Sequence, residues 1–387
     1  MRMCRASFVL VNVIVVSVIL CHCSALVFLN NRRNVLQDIM SVTLMMPMNT
    51  RNQYIIGKKE TSTSDQFLDE QVTVPLKWIP ELQAYVVFYT VGGDKFGAIL
   101  DTGSPFLTVP SYCDETKWGC YRESSSIPSG YEPTMEQYDN NAGEVNWRSA
   151  PFAFLNATGS MMGPKSMVFG VLAESLMDGP GGVFMGLVKY TDSWIRPSFL
   201  GQTNVKAFSI DLANPEQKSF TLSTQSLLPT NNNDYIPLVN DLNRRYGDPT
   251  IHYTARAQSI TVNGFPLVSG KKKPIYVIID TGVTGMSVSQ ELYDERYIMA
   301  RRNKERSLWD NVEVTFQSKG GDMITLKSQR KPITTPIGEI PWKGFNNNAH
   351  LVVLGLSFLD GNVMTFDIDD GKFWIETPSI NTQTIPP

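Results

Sequence analysis

From Val72 onward the chain predicts a mostly β protein in two similar halves, and three observations carry that prediction. Apolar runs are short, rich in β-branched and aromatic residues, and bounded by Gly, Pro, Asn and Asp clusters. Examples are Tyr85–Val91, Phe152–Leu155, Phe208–Ile210, Ser259–Val262 and Asn311–Phe316. Runs of that length between turn residues are strands. Helical patterning is confined chiefly to Gln290–Lys304, with a short turn near Ser193–Leu200. The third observation is an internal repeat. Ala98-Ile99-Leu100-Asp101-Thr102-Gly103, Val183–Leu187, Phe208–Asp211 and Phe220–Leu222 recur in order as Val277-Ile278-Ile279-Asp280-Thr281-Gly282, Val353–Leu356, Phe366–Ile368 and Phe373–Ile375. Pro229–Asp234 reads as a connector, so the halves are expected at 71–228 and 229–387.

At 387 residues with 42% hydrophobic content, the chain is long enough for two packed domains. A formal charge of −3 and the lack of a basic stripe argue against nucleic-acid binding. The one cationic run, Lys271-Lys272-Lys273, reads as a hairpin tip.

The N-terminus predicts secretory entry. Arg2 and Arg5 precede an apolar run from Phe8 to Leu20, followed by Cys23-Ser24-Ala25. This is the charge, core and small-residue pattern of a signal peptide over 1–25. The apolar run is short against the roughly 20 residues that a spanning helix needs, so no stable span is expected after its removal. A retained signal anchor is the alternative. The segment 26–70 reads as a propeptide, a linker or a second targeting signal. Its loss with the signal would take seven of the 34 basic and five of the 37 acidic residues and leave a charge of −5. The final compartment is open: extracellular, vacuolar or lysosomal in type, or a plastid reached by the secretory route.

Three of the five cysteines, Cys4, Cys21 and Cys23, lie in the expected signal. Cys113 and Cys120 remain, an even pair closing a small loop, which in an oxidising compartment reads as a disulfide. Two cysteines and three histidines make a metal site unexpected. Asn156-Ala157-Thr158 is a glycosylation acceptor.

The chemistry lies in the repeated Asp-Thr-Gly. Each copy follows a buried-strand signal, Phe96–Leu100 in one half and Ile275–Ile279 in the other. Glycine lets the chain turn and bring backbone close to the carboxylate, and threonine supplies a hydroxyl that can bond across to the other half. If the two loops meet, Asp101 and Asp280 come within hydrogen-bonding range. Two carboxyls that close share one proton, which suits general acid and base work.

In these features the chain resembles the pepsin-like aspartic proteases from Val72 to Ile375. Asp101-Thr102-Gly103-Ser104 through Val109-Pro110-Ser111 resembles the first active-site loop, and Cys113 with Cys120 the small disulfide loop that follows. The segments ending at Gly186 and Gly355 resemble the strands crossing behind each loop. Tyr138 corresponds to the flap tyrosine, Val145–Trp147 to the returning flap strand, and Phe184 to a residue lining the specificity pocket. The resemblance implies a two-lobed fold with pseudo-twofold symmetry and a cleft between the lobes. It implies an endopeptidase made as a zymogen, acting as a monomer on polypeptide substrates without a cofactor. Asp101 and Asp280 would be catalytic, supported by Thr102, Ser104 and Thr281, with Gly103 and Gly282 beside bound peptide. A catalytically silent relative that binds or inhibits proteins is the alternative.

The departures from the pattern are specific. The family usually follows each Asp-Thr-Gly with a hydroxyl residue; Ser104 keeps it, Val283 does not, and Thr284 could replace it only if the loop is shifted. Losing a donor to the ionised form favours the protonated acid. Asp280 is therefore expected to hold the shared proton, and the pair to titrate at higher pH than one with two hydroxyls. Thr108 stands where the family often has the tryptophan that supports the flap, and Gly181-Gly182 replaces a bulky and acidic pair.

Overall fold

Residues 68–377 are described by a computed structural model, apart from 115–117, 139–140, 162–164, 174–182, 230–232 and 268–272. The expected signal, nearly all of segment 26–70, Gly181, Gly182, Lys271 and Lys272 lie outside the described residues. Strands dominate, at 46% of residues against 12% helix, which makes the fold mostly β.

Among the described residues the strands form three sheets. The largest takes its strands from the stretch Lys77 to Gly186, and a second takes its strands from Thr254 to Leu354. The third mixes both halves of the sequence: Leu68–Pro75, Ala207–Asp211 and Ser219–Ser223 lie in it beside Val363–Asp367 and Lys372–Glu376. At its centre the repeat pairs with itself. Ala207–Asp211 runs antiparallel to Val363–Asp367 with Phe208 opposite Phe366, their rings stacked 4.7 Å apart.

The observed elements follow the apolar pattern closely. Tyr85–Val91 falls in the strand Ala84–Val91, and Asn311–Phe316 appears as Val312–Gln317. The helix expected over 290–304 spans Gln290–Arg302. It stops short because Lys304 adopts a left-handed conformation at φ 55°, which no helix interior accommodates. Among the described residues no helix is long and apolar enough to cross a membrane.

Two parallel strand pairs position the site. Phe184–Gly186 runs beside Asp94–Asp101 with Gly186 opposite Asp101. Ile275–Ile279 runs beside His350–Leu354 with Ile279 opposite Leu354, so one residue further on Asp280 faces Gly355. Ile275–Ile279 is a continuous apolar run because the strand is covered on both faces, as parallel strands are.

The glycines at these crossings are required by space. A Cβ on Gly186 would lie 2.5 Å from the Ser104 carbonyl, and one on Gly355 would lie 2.1 Å from the Val283 carbonyl. The loop leaving each aspartate folds directly over the glycine. Gly186 donates to the Phe106 carbonyl at 2.8 Å, and Gly355 to the Gly285 carbonyl at 3.0 Å. Each acceptor lies five residues beyond its aspartate, so the repeat in sequence is a repeat in hydrogen bonding.

Candidate active site

Asp101 closes the strand Asp94–Asp101 and Asp280 follows the strand Ile275–Ile279, and both are fully buried. Their loops are joined by four hydrogen bonds. The Thr102 hydroxyl donates to the Ile279 carbonyl at 2.8 Å, and the Thr281 hydroxyl to the Leu100 carbonyl at 2.7 Å. Each hydroxyl also accepts the other threonine's backbone N–H, at 2.9 and 3.2 Å. The structure thus brings Asp101, Asp280, Thr102, Thr281, Gly103 and Gly282 together.

The two loops press on one another through their glycines. A Cβ on Gly103 would lie 2.2 Å from Asp280 Oδ2, and one on Gly282 2.6 Å from Asp101 Oδ1. No side chain other than hydrogen fits at either place. The glycine amides also hold the carboxyls: Gly103 N–H donates to Asp101 Oδ1 at 2.7 Å, and Gly282 N–H to Asp280 Oδ1 at 2.8 Å.

The outer oxygens differ. Asp101 Oδ2 accepts the Ser104 hydroxyl at 2.5 Å. Asp280 Oδ2 has no donor. Val283 is instead packed in an apolar cluster with Leu242, Ile278 and Val353. Thr284 does not substitute, because its hydroxyl donates to the Gln83 carbonyl at 3.1 Å.

Burial raises the Asp101 carboxyl above the usual range, opposed by the Ser104 hydroxyl and the loop amides. Burial raises Asp280 well above that range, and the neighbouring Asp101 charge adds to the effect. Both causes act against a second negative charge, and they bear harder on Asp280 than on Asp101, whose ionised form the Ser104 hydroxyl and the loop amides favour. Such a pair offers a base and an acid a few ångströms apart. That arrangement can deprotonate a small nucleophile and polarise a carbonyl at once.

The other candidates are placed as follows. Phe184 is 1% exposed and belongs to the hydrophobic core. Tyr138 ends the hairpin strand Thr134–Tyr138, opposite Asn141, and its side chain lies outside the described residues. Thr108 is turned to the strand behind the first loop: its hydroxyl accepts the Phe184 N–H at 2.9 Å and donates to the Phe184 carbonyl at 3.1 Å. Hairpin support comes instead from Trp147, whose indole N–H donates to the Thr134 hydroxyl at 2.8 Å. Cys113 and Cys120 pair across a short ladder at disulfide distance, with Cα atoms 4.0 Å apart. Asn156 is exposed, in a turn between the strands Asn141–Phe154 and Thr158–Met161.

Sequence reasoning missed His252 and Asp248, two buried titratable residues beside the first loop. A single histidine in a strand-like stretch carries no local signal of its surroundings.

The raised Asp280 carboxyl has a consequence for stability. The unfolded carboxyl ionises near 3.8, while burial and the Asp101 charge push the folded one well above that. The unfolded state therefore binds fewer protons above that pH, and stability falls as pH rises toward the folded value. Asp280→Asn removes this loss. Calorimetry is expected to give D280N a higher Tm than the parent at neutral pH, with the gap closing below pH 3.8. A gap that persists unchanged in acid would contradict the assignment. No protein-family model matches the chain, and no curated protein matches it, so what the site does rests on its geometry.

Proposed function

We propose that this chain is an aspartic endopeptidase with a two-lobed, pepsin-like architecture. The observation that carries the reading is the buried Asp101–Asp280 pair, held by reciprocal threonine bonds between two loops of the same sequence. Ionised Asp101 accepts a proton from a water molecule, whose oxygen attacks the peptide carbonyl. Protonated Asp280 donates a hydrogen bond to that carbonyl oxygen and stabilises the charge that develops on it. Collapse of the tetrahedral species then breaks the C–N bond, the leaving nitrogen taking a proton from the pair. The products are a carboxyl and an amine, and the dyad returns to one proton.

Several features support this reading. Each aspartate has a glycine crossing behind it. A hairpin, Thr134–Tyr138 with Asn141–Phe154, is available to cover an extended peptide. The central sheet joins strands of both halves, as expected where two lobes face each other across a cleft. Secretory entry and a removable leader belong to the same proposal, as do monomeric action on polypeptides and modification at Asn156.

The deciding assay compares the leader-free parent with Asp101→Asn on a peptide library from mildly acidic to neutral pH. Cleavage by the parent should fall by about 10²–10⁴-fold in the variant, the usual contribution of a positioned acid or base. No cleavage by the parent would sink the enzyme reading and favour a silent binding protein. A second outcome concerns Val283. Val283→Thr gives Asp280 a donor that favours its ionised form, so the alkaline limb of the pH–rate profile, where Asp280 loses the shared proton, should move to lower pH. An unmoved limb would show that the missing hydroxyl does not tune the pair.

A further inference from the structure

Tyr253 bonds directly to the strand before Asp280 and reaches Asp101 through Leu187. Its carbonyl accepts the Ile279 N–H at 3.1 Å, one residue before Asp280. Its hydroxyl donates to the Leu187 carbonyl at 2.5 Å, and Leu187 N–H donates to the Asp101 carbonyl at 2.7 Å. The backbone at 252–253 is therefore fixed by the strands that carry the dyad.

The neighbouring His252 side chain is 1% exposed, and its imidazole lies against the Gly103 backbone without a well-aligned hydrogen bond to it. Asp248, 3% exposed, places Oδ2 3.5 Å from His252 Nε2. The other oxygen, Asp248 Oδ1, accepts the Thr250 N–H at 3.0 Å. Neither Asp248 Oδ2 nor either imidazole nitrogen makes a hydrogen bond, so the 3.5 Å approach is a close contact only. Buried polar atoms left this way are expensive unless they satisfy one another. A neutral carboxyl donating its proton to a neutral imidazole satisfies both with no buried charge, whereas an ion pair here would have to overcome the desolvation of two ions.

The surroundings favour the neutral pair. Burial takes His252 down to about 4 and Asp248 well above the ordinary carboxylate range. The Asp192 charge faces Asp248 and further opposes its ionisation. Asn243 bridges the two, donating to Asp192 at 3.0 Å and to the Asp248 carbonyl at 2.7 Å. Tyr190 and Lys189, on the adjoining segment, both donate to Asp369. Across Gly103 the next titratable groups are Asp280 and Asp101.

We propose that Asp248 and His252 act as a buried positioning pair that closes from its 3.5 Å approach to a hydrogen bond, holds the Gly103 backbone against the Asp280 carboxyl and thereby sets the geometry of the dyad. Gly103 is the contact through which this acts, since it lies against Asp280 Oδ2 and its amide holds Asp101 Oδ1. The effect on turnover rests on the protease reading; the existence of the pair does not.

The test has two arms. In the first, kcat and KM are measured against pH for leader-free His252→Phe and Asp248→Asn. H252F keeps a buried ring but loses both nitrogens. It should lower kcat by roughly 10- to 100-fold with KM little changed, the loss expected for a misplacement of order 1 Å, and should shift the pH profile. D248N should rescue most of the activity, because its amide can accept from Thr250 and donate to the imidazole as the neutral acid does. An H252F enzyme with the parent kcat and pH profile would overturn the proposal, as would a D248N enzyme more impaired than H252F.

The second arm needs no turnover. The leader-free chain has two histidines, His252 and His350, so imidazole ¹⁵N signals can be followed through a pH titration. His252 should stay neutral through the mildly acidic range, and its signals should move on Asp280→Asn. A His252 titrating near the ordinary value of about 6.5, or one blind to Asp280→Asn, would overturn the proposal. If the parent cleaves nothing, the protease reading fails while this arm still decides the pair.

Discussion

Thr102 and Thr281 each give a hydroxyl to the carbonyl that precedes the other loop's aspartate, and each hydroxyl accepts the other's N–H. Every other feature of the site depends on this exchange, because it holds two carboxyls together that would otherwise repel. Two unit charges about 4 Å apart repel by about 4 kcal/mol at the effective dielectric of a protein surface. Four buried hydrogen bonds contribute only about 0.5–1.5 kcal/mol each in net terms. The margin is too narrow to hold two full charges comfortably. Retaining one proton removes the repulsion, so the same geometry that closes the loops also creates the acid and the base.

The two halves of the exchange are alike, but the carboxyls they present are not. Ser104 stabilises the ionised form of Asp101. On the other side the Val283 side chain adds apolar packing with Ile278 and Val353 and offers the Asp280 carboxyl no hydroxyl donor. A side chain that strengthens the second half's core thus also biases the proton toward Asp280. Fold stability and proton placement are coupled at this one position.

Much of the frame was legible in the sequence because it is local. Strand patterning placed Asp94–Asp101 and Ile275–Ile279, and the repeated apolar-apolar-glycine segments marked Gly186 and Gly355. The difference between Ser104 and Val283 was visible as well. What escaped depends on contacts between distant segments. Thr284 could have replaced the missing hydroxyl until the Gln83 carbonyl was seen to accept from it. Thr108 gave no hint that it ties the Phe184 backbone, nor Trp147 that it supports the hairpin through Thr134. Asp248 and His252 sit four residues apart, yet only the approach of Gly103 from the other half gives them a role to consider.

The claim at the centre is that Asp101 and Asp280 share a single proton across the threonine-locked loops. Carboxyl ¹³C NMR of the leader-free chain, followed through a pH titration, tests it most directly. One resonance should ionise early and the other, assigned to Asp280, should stay protonated well above the ordinary carboxylate range. Asp280→Asn should then simplify the remaining step at Asp101. Two aspartates that ionise independently near the unperturbed value of about 3.9 would contradict the account.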